Sequence, residues 1–189
     1  GGNLVFTVSL SNSSYQTITV DYATSDGSAT LADNDYTAAS GTITFAPGET
    51  SKTVTVATIS DTKYEPDETV NVNLSNASNA TIADNQGVGT IQNDDAAPTI
   101  SINDVSVTEG GNLVFTVSLS NSSYQTITVD YATSDGSATL ADNDYTAAIG
   151  TVTFAPGETS KTVTVATISD TKYEPDETVN VNLSNALNA

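Results

Sequence analysis

The sequence predicts an all-β chain of tandem immunoglobulin-like antiparallel β-sandwiches, with about seven strands in each. Short segments rich in Val, Ile and Thr alternate apolar and polar residues, which is typical of half-buried strands. No segment shows the period of about 3.6 residues that a helix requires. Residues 1–80 recur as residues 110–189 with three substitutions, at Ser40/Ile149, Ile43/Val152 and Ser78/Leu187. Short alternating strands in a repeated frame favour paired sandwiches.

Each predicted strand is an alternating segment bounded by turn signals such as "SNSS", "SDGS" and "APGE". The segment "TISINDVSV" predicts the first strand of a repeat, at 99–107. The segments "LVFTVSL", "TITVDYA" and "GTITF" predict the second to fourth strands, at 4–10, 17–23 and 41–45. The segments "KTVTVAT", "TVNVNL" and "GVGTI" predict the fifth to seventh strands, at 52–59, 69–74 and 87–92.

The repeat offset of 109 residues has the size of a domain, so we place repeat 1 at residues 1–97 and repeat 2 at residues 98–189. Repeat 1 has no counterpart of residues 98–109 and lacks its first strand. Repeat 2 has no counterpart of residues 81–95 and lacks its last strand. We therefore expect a portion of a longer array. Strands beside each gap should have unpaired edges, which favours strand exchange between chains.

The composition argues against several classes of function. The net charge is −19, from 23 acidic residues and four lysines, so we expect no nucleic-acid partner. No apolar stretch has the length of a transmembrane helix, so we expect no direct membrane insertion. The chain contains no Cys and no His, which removes thiol nucleophiles, the usual general bases and most zinc ligands. We therefore do not expect an enzyme. A divalent cation is a partner that suits the large negative charge.

The acidic residues gather at one end of the predicted sandwich. If consecutive strands run antiparallel, the first, third, fifth and seventh strands end at the same pole. Nine of the twelve acidic residues of repeat 1 follow these strands: Asp26, Asp33, Asp35, Asp61, Glu65, Asp67, Glu68, Asp94 and Asp95. Two like charges about 4 Å apart repel by roughly 4 kcal/mol at an effective dielectric near 20. Such crowding favours Ca²⁺, which binds about 6–8 oxygens, and the alternative is an acidic pole without a ligand.

The motifs "TSDGSA", "DY", "FAPGET" and "DTKYEPDE" occur in both repeats. Together they resemble the Calx-beta domain of sodium–calcium exchangers, integrin β4 and bacterial surface proteins. The resemblance implies an immunoglobulin-like sandwich that binds Ca²⁺ through its distal loops. Carried over to this chain, it implies ligands at Asp26, Asp61, Glu65, Glu68, Asp94, Asp95 and Glu109, and in repeat 2 at Asp135, Asp170, Glu174 and Glu177. It also implies that a backbone carbonyl at Lys63 or Lys172 binds the ion.

Several positions depart from the pattern of the strongest calcium-binding members. Ser60 stands where they have the first of two consecutive Asp residues, and Asn93 replaces the first Asp after the seventh strand. These changes predict about one or two ions, or weaker binding. We interpret Asp35, like Asp33, as a turn residue that caps local backbone. Within "DTKYEPDE" we interpret Asp67 as a bystander.

We predict a calcium-binding structural or adhesion repeat of a larger extracellular or cell-surface (secreted) protein. In this interpretation calcium stiffens the junction between neighbouring repeats. One alternative is a calcium-sensing module that regulates an attached domain. Another is a module that recognises a glycan or a protein through its loops.

Overall fold

The computed structural model describes all residues, 1–189, and contains strands but no helix. The chain divides into two compact units. Unit 1 comprises Gly1–Asp61 and Glu65–Asp94, and unit 2 comprises Thr62–Tyr64 and Asp95–Ala189. The domain boundary between residues 97 and 98 stays a prediction. No helix long and apolar enough to cross a membrane is present.

Twelve strands follow one another along the chain, six in each unit. Those of unit 1 are β1 (Asn3–Ser9), β2 (Ile18–Asp26), β3 (Ser40–Phe45), β4 (Ser51–Ala57), β5 (Glu68–Ser78) and β6 (Gln86–Ile91). Those of unit 2 are β7 (Ile100–Ile102), β8 (Asn112–Leu119), β9 (Ile127–Asp135), β10 (Ile149–Phe154), β11 (Ser160–Ala166) and β12 (Val179–Leu187). The predicted all-β fold is confirmed.

Unit 1 is a sandwich of two antiparallel sheets. One sheet has the strand order β3-β2-β5-β6, and the other consists of β1 and β4. Alternate side chains of these strands point inward, because successive residues of a strand face opposite sides. The most buried core residues on the strands are Ile18, Val20, Ile43, Phe45, Val54, Val56, Val70 and Val72. Burying one such side chain stabilises the unit by about 1.5–3 kcal/mol, so this core holds the two sheets together.

Unit 2 repeats this arrangement with a different set of edge strands. Its sheets have the orders β10-β9-β12 and β11-β8-β7. β7 therefore adds an outer strand beside β8, whereas β12 has β9 as its one neighbour. The segment Thr62–Tyr64 also belongs to this unit, and Tyr64 forms a parallel bridge with Ser123.

The first strand of a repeat is shorter than the sequence predicts, since β7 ends at Ile102 and not near residue 107. Asn103 explains the early end. Its N–H donates to the Thr116 carbonyl at 3.2 Å, but its side-chain Oδ1 accepts the Thr116 N–H at 2.6 Å. The side chain thus replaces the backbone acceptor, which is a common way for Asn to compete with a β-ladder.

β5 corresponds to the strand predicted at 69–74. It is longer than predicted, since it runs to Ser78 and not to residue 74. Its pairing with β2 shifts register between Thr19 and Asp21, as at a β-bulge. Asn76 lies opposite this shift with a φ of 50°, a left-handed conformation that Asn tolerates better than most residues. Its amide donates to Asp21 Oδ2 at 3.1 Å, so the bulge is held by a side-chain bond.

Candidate metal sites

Acidic connections meet at one end of unit 1, here named the loop pole. It consists of residues 27–39, 58–61, 65–68 and 92–94. Asp26 at the end of β2 pairs with Val70 near the start of β5, and Glu68 pairs with Ile91 at the end of β6. A bridge between Tyr36 and Thr58 joins the first two connections. The strand order therefore brings together the connections that strand parity predicts to share a pole.

Three carboxylates converge at the loop pole of unit 1. Asp35, Glu65 and Glu68 each place an oxygen within 4.8 Å of the other two. Asp35 is buried and the two glutamates are half-buried. Glu65 and Glu68 are two of the predicted ligands, and the structure brings them together.

The sequence predicts that Asp35 is a turn residue, and the structure shows this role. Its Oδ2 accepts the Thr30 N–H at 2.6 Å, and its own N–H donates to the Thr30 carbonyl at 3.2 Å. The same side chain also belongs to the carboxylate cluster. A carboxylate has two oxygens, so capping the turn does not prevent it from facing a cation. The sequence signal was available, because "ADNDYTA" lies in a connection at the acidic pole, but a capping motif alone does not reveal a ligand.

Unit 2 contains two overlapping clusters. Asp144, Glu174 and Glu177 repeat the unit-1 cluster at an offset of 109 residues. Glu109, Asp170 and Glu174 form the second cluster, so Glu174 belongs to both. Four of these five residues were predicted ligands, and Asp144 was missed for the same reason as Asp35.

A lysine side chain lies against the unit-2 clusters. Lys172 Nζ is 2.5 Å from Glu174 Oε1, and the Lys172 N–H donates to Asp170 Oδ1 at 2.6 Å. The hydrogen bond to Glu174, followed by the negative charges of Glu174 and Asp142, raises the pKa of Lys172. The sequence prediction concerned only the backbone carbonyl of this residue, whereas its ammonium group already compensates part of the negative charge.

The remaining carboxylates of these clusters repel one another. Desolvation, followed by the negative charges of Asp144 and Glu174, raises the pKa of Glu177. The Asp170 N–H donates to Glu109 Oε1 at 3.0 Å, which holds these two acidic residues side by side. A bound cation would favour the charged form of every one of them.

Asp26 and its counterpart Asp135 lie outside the three clusters. Asp26 Oδ1 accepts the Tyr36 hydroxyl at 2.6 Å and the Leu31 N–H at 3.2 Å. Asp135 makes the equivalent bonds in unit 2, with the tyrosine hydroxyl at 2.7 Å. Burial, followed by the hydrogen bond to Asp26, raises the pKa of Tyr36 to about 12. In this structure both aspartates organise the turn after β2 or β9.

The other predicted ligands are not gathered into a cluster. Asp61, Asp94 and Asp95, together with Lys63, are absent from the three groups of converging carboxylates. Asp67, the predicted bystander, has a structural contact instead. Its Oδ1 accepts the Asn93 N–H at 3.0 Å and so ties the start of β5 to the residues after β6.

The donor set fits Ca²⁺ better than it fits a softer metal. All the converging atoms are carboxylate oxygens, which are hard ligands, and the chain has no Cys or His to bind Zn²⁺. Three carboxylates supply at least three converging oxygens, so backbone carbonyls or water would complete the 6–8 that Ca²⁺ binds. The cluster combines two stretches of chain, which allows the flexible geometry that Ca²⁺ accepts and Mg²⁺ tolerates less well.

Comparison with known proteins identifies relatives over most of the chain. The profile of the Calx-beta domain matches residues 2–104 and again residues 91–189. Sodium/calcium exchanger 1 of Canis lupus familiaris is 30% identical over 184 residues, covering 86% of this chain and 19% of the exchanger. Sodium/calcium exchanger 2 of Homo sapiens is 34% identical over 181 residues, covering 84% of this chain and 19% of the exchanger. The chain thus spans about a fifth of the curated relatives it matches.

Two solved structures are also similar to this chain. The calcium binding domain CBD12 of CALX1.1 is 24% identical with a TM-score of 0.48, covering 100% of this chain and 74% of that chain. CBD12 from CALX1.2 is 25% identical with a TM-score of 0.47, covering 100% of this chain and 75% of that chain.

The predicted extracellular or cell-surface location is wrong. The relatives named above are sodium/calcium exchangers and not secreted or adhesion proteins. The prediction depended on near-identical repeats and a negative charge. Both features serve solubility and spacing on either side of a membrane, so neither specifies a compartment.

Proposed function

The chain belongs to the Calx-beta family, and we propose that it is a pair of calcium-sensing regulatory modules within a larger protein. Calx-beta domains are regulatory calcium-binding modules and not catalysts. One observation carries the proposal for this chain. The same three acidic positions converge within 4.8 Å in both units, as Asp35, Glu65 and Glu68 and as Asp144, Glu174 and Glu177.

The proposed mechanism starts from electrostatic repulsion at the loop pole. The converging carboxylates come from the connection after β2 or β9 and from the segment that leads into β5 or β12, with Glu68 as the first residue of β5. Without a cation their mutual repulsion pushes these connections apart. These carboxylates would hold Ca²⁺, whose charge would offset their repulsion, and the resulting order of the connections would be the signal passed to an attached domain. At a hundredfold excess over Kd, binding stabilises the folded unit by about 2.7 kcal/mol.

The clusters suggest how many ions each unit binds. We assign one ion to unit 1, held by Asp35, Glu65 and Glu68. We assign two ions to unit 2, where Glu174 is shared and the second ion adds Glu109 and Asp170. Asp26, Asp61, Asp94, Asp95 and Asp135, with the carbonyls of Lys63 and Lys172, stay predicted contributors.

The predicted spacer or adhesion function is the weaker proposal. Near-identical repeats suit an element that sets length, with calcium stiffening the array. The relatives, however, are exchangers, which favours regulation over adhesion. The two proposals differ in the calcium concentration that they require, because sensors bind with Kd values of about 10⁻⁷–10⁻⁵ M and extracellular modules with about 10⁻⁴–10⁻³ M.

Isothermal titration calorimetry on the chelator-treated chain tests the proposal. We expect saturable Ca²⁺ binding in the sensor range, with about three ions per chain. The variant Glu65→Gln/Glu174→Gln removes one carboxylate from every cluster and should lose most of this binding.

The matched control is Glu49→Gln/Glu158→Gln. These residues pair with Lys52 and Lys161 at distances of 2.8 Å and 2.7 Å, away from the loop pole. The control has the same change in net charge and should bind Ca²⁺ like the natural sequence. Equal loss of binding in both variants would show that only overall charge matters, and absence of binding in the natural sequence would refute the proposal.

A further inference from the structure

The turn that follows β2 has the same hydrogen bonds as the turn that follows β9. We name residues 26–30 the Asp26 turn and residues 135–139 the Asp135 turn. Each has the sequence "DGSAT" and begins at the last residue of its strand. The bonds of the Asp26 turn to its surroundings recur in unit 2 at the offset of 109 residues. Their arrangement is therefore a property of the repeat itself.

The Asp26 turn fixes one member of the carboxylate cluster. The Thr30 N–H donates to Asp35 Oδ2 at 2.6 Å, and the counterpart bond from Thr139 to Asp144 is 2.7 Å long. The Asp35 carbonyl also accepts the Ile59 N–H at 2.9 Å. Side chain and backbone of Asp35 are both held, so the turn sets where this carboxylate stands in the cluster.

The same turn holds the backbone beside a second member, Glu68. Ser28 Oγ accepts the Thr69 N–H at 2.9 Å, and the Ala29 N–H donates to the Thr69 carbonyl at 3.0 Å. The counterpart bonds of unit 2 have the same lengths. A Cβ at Gly27 would collide with the Thr69 carbonyl, so only glycine allows this approach. Since Thr69 directly follows Glu68, one turn fixes the chain at two cluster members.

Asp26 closes this turn from the inside. Its Oδ1 accepts the Leu31 N–H at 3.2 Å and the Tyr36 hydroxyl at 2.6 Å. Tyr36 is 2% exposed, so water cannot replace Asp26 as the partner of its hydroxyl, and an unpaired buried hydroxyl is costly. Because Tyr36 directly follows Asp35, the bond between Asp26 and Tyr36 also determines the path of the chain at Asp35.

We propose that Asp26 and Asp135 are positioning residues of the calcium sites, which act through Asp35 and Asp144 and do not bind the ion. The proposal rests on the proposed calcium-sensing function, and it reassigns two residues that the family resemblance implies to be ligands. Residues that hydrogen-bond around metal ligands orient them, and their loss commonly lowers metal affinity by about 10–100-fold. The turn opposes the repulsion between Asp35 and Glu68, so part of the site is in place before an ion binds.

Double variants that change both units alike test the proposal in calorimetry, well below the unfolding temperature. Asp26→Ala/Asp135→Ala removes the acceptor and Tyr36→Phe/Tyr145→Phe removes the donor, and each should lower Ca²⁺ affinity about tenfold or more. Asp26→Asn/Asp135→Asn keeps an oxygen acceptor. It should lower the affinity by less than about fivefold, because only the attraction of a distant surface charge is lost.

The matched control is Asp21→Ala/Asp130→Ala, on the same two strands. Asp21 also accepts two hydrogen bonds, from Thr42 at 2.6 Å and from Asn76 at 3.1 Å, and Asp130 has the equivalent pair. The control therefore loses the same charge and the same number of hydrogen bonds, but outside the turn. It should bind Ca²⁺ like the natural sequence, which separates positioning from an effect of stability or overall charge.

Hydrogen exchange by NMR in chelator gives a readout that needs no ion. The Thr30 and Thr139 amides, which donate to Asp35 and Asp144, should be protected in the natural sequence and in the Asn variant. They should exchange faster in the Ala and Phe variants, because the turn is then no longer closed. Equal exchange in all variants would overturn the proposal.

The outcomes of the calorimetry are distinct. Equal loss of affinity in the Asn and Ala variants would make Asp26 and Asp135 ligands and overturn the proposal. An unchanged affinity in Tyr36→Phe/Tyr145→Phe, or an equal loss in the control, would overturn it without refuting calcium binding. If the Ala variant does not fold, the Phe and Asn variants decide, since both keep the shape of the side chains they replace. Absence of binding in the natural sequence would instead refute the calcium-sensing function on which this proposal rests.

Discussion

Glu174→Gln separates the two roles that the structure gives to this carboxylate. Glu174 belongs to both unit-2 clusters, and its side chain is 18% exposed. It is surrounded by Glu109, Asp144, Asp170 and Glu177, with the ammonium of Lys172 as the nearest cation. Removal of its charge should stabilise the calcium-free unit, because repulsion is relieved, and weaken calcium binding, because a shared ligand is lost.

The size of the stability change follows from the distances between the clustered carboxylates. Two unit charges 4.8 Å apart, the upper limit within a cluster, repel by about 0.9 kcal/mol in water and about 3.5 kcal/mol at an effective dielectric near 20. Because Glu109 and Asp170 are exposed, the lower figure applies to them. After the loss of the Lys172–Glu174 ion pair is subtracted, we expect the free energy of unfolding of the calcium-free unit to rise by about 1 kcal/mol. This corresponds to a Tm increase of about 4–8 °C for a unit of this size.

Differential scanning calorimetry in chelator and in Ca²⁺ measures both effects. Calcium affinity of unit 2 should fall by about tenfold or more, since even residues that only support metal ligands commonly cost 10–100-fold. The matched variant is Glu65→Gln, which belongs to a single cluster and should change only the unit-1 ion. A lower Tm in chelator together with unchanged calcium affinity would refute the reasoning.

Three further outcomes are expected. Tyr36→Phe should lower the free energy of unfolding by about 1.5–3 kcal/mol, since it removes a hydrogen bond to a carboxylate, as measured by urea unfolding. Because the pKa of Tyr36 is raised to about 12, its stabilisation is complete below about pH 10 and is lost as the pH rises towards 12, a loss absent from the variant. Val117→Ala should cost about 2 kcal/mol and Val8→Ala less than about 1 kcal/mol, because only Val117 is fully buried. Lys172→Gln should raise the calcium affinity of unit 2 about two- to fivefold in calorimetry, since Glu174 no longer pairs with an ammonium group.

Much of the fold could be predicted from local sequence. The alternation of Val, Ile and Thr identifies the strands, since side chains of a strand point to opposite faces in turn. Antiparallel order then assigns each acidic connection to a pole without any knowledge of packing. The same reasoning could not place the end of β7, because it depends on a hydrogen bond between the Asn103 side chain and Thr116.

The ligand set was only partly predictable. Glu65 and Glu68 come together as the motif resemblance implies, but Asp35 joins them through the fold of a different connection. A capping aspartate and a ligand aspartate look alike in sequence, because both roles use carboxylate oxygens. Which oxygens face each other depends on how two loops pack, and no local pattern contains that information.

The two near-identical repeats separate what the sequence determines from what the tertiary structure determines. By itself the sequence determined the strand pattern, the acidic pole and the near identity of the two units, because these depend on periodicity, charge and order along the chain. Only the tertiary structure decided that Val117 is buried while Val8 is partly buried, and that Glu174 serves two clusters while Glu65 serves one. The reason is that burial and convergence depend on segments distant in sequence, such as β7, which pairs with β8, and Glu109, which joins the second cluster of unit 2.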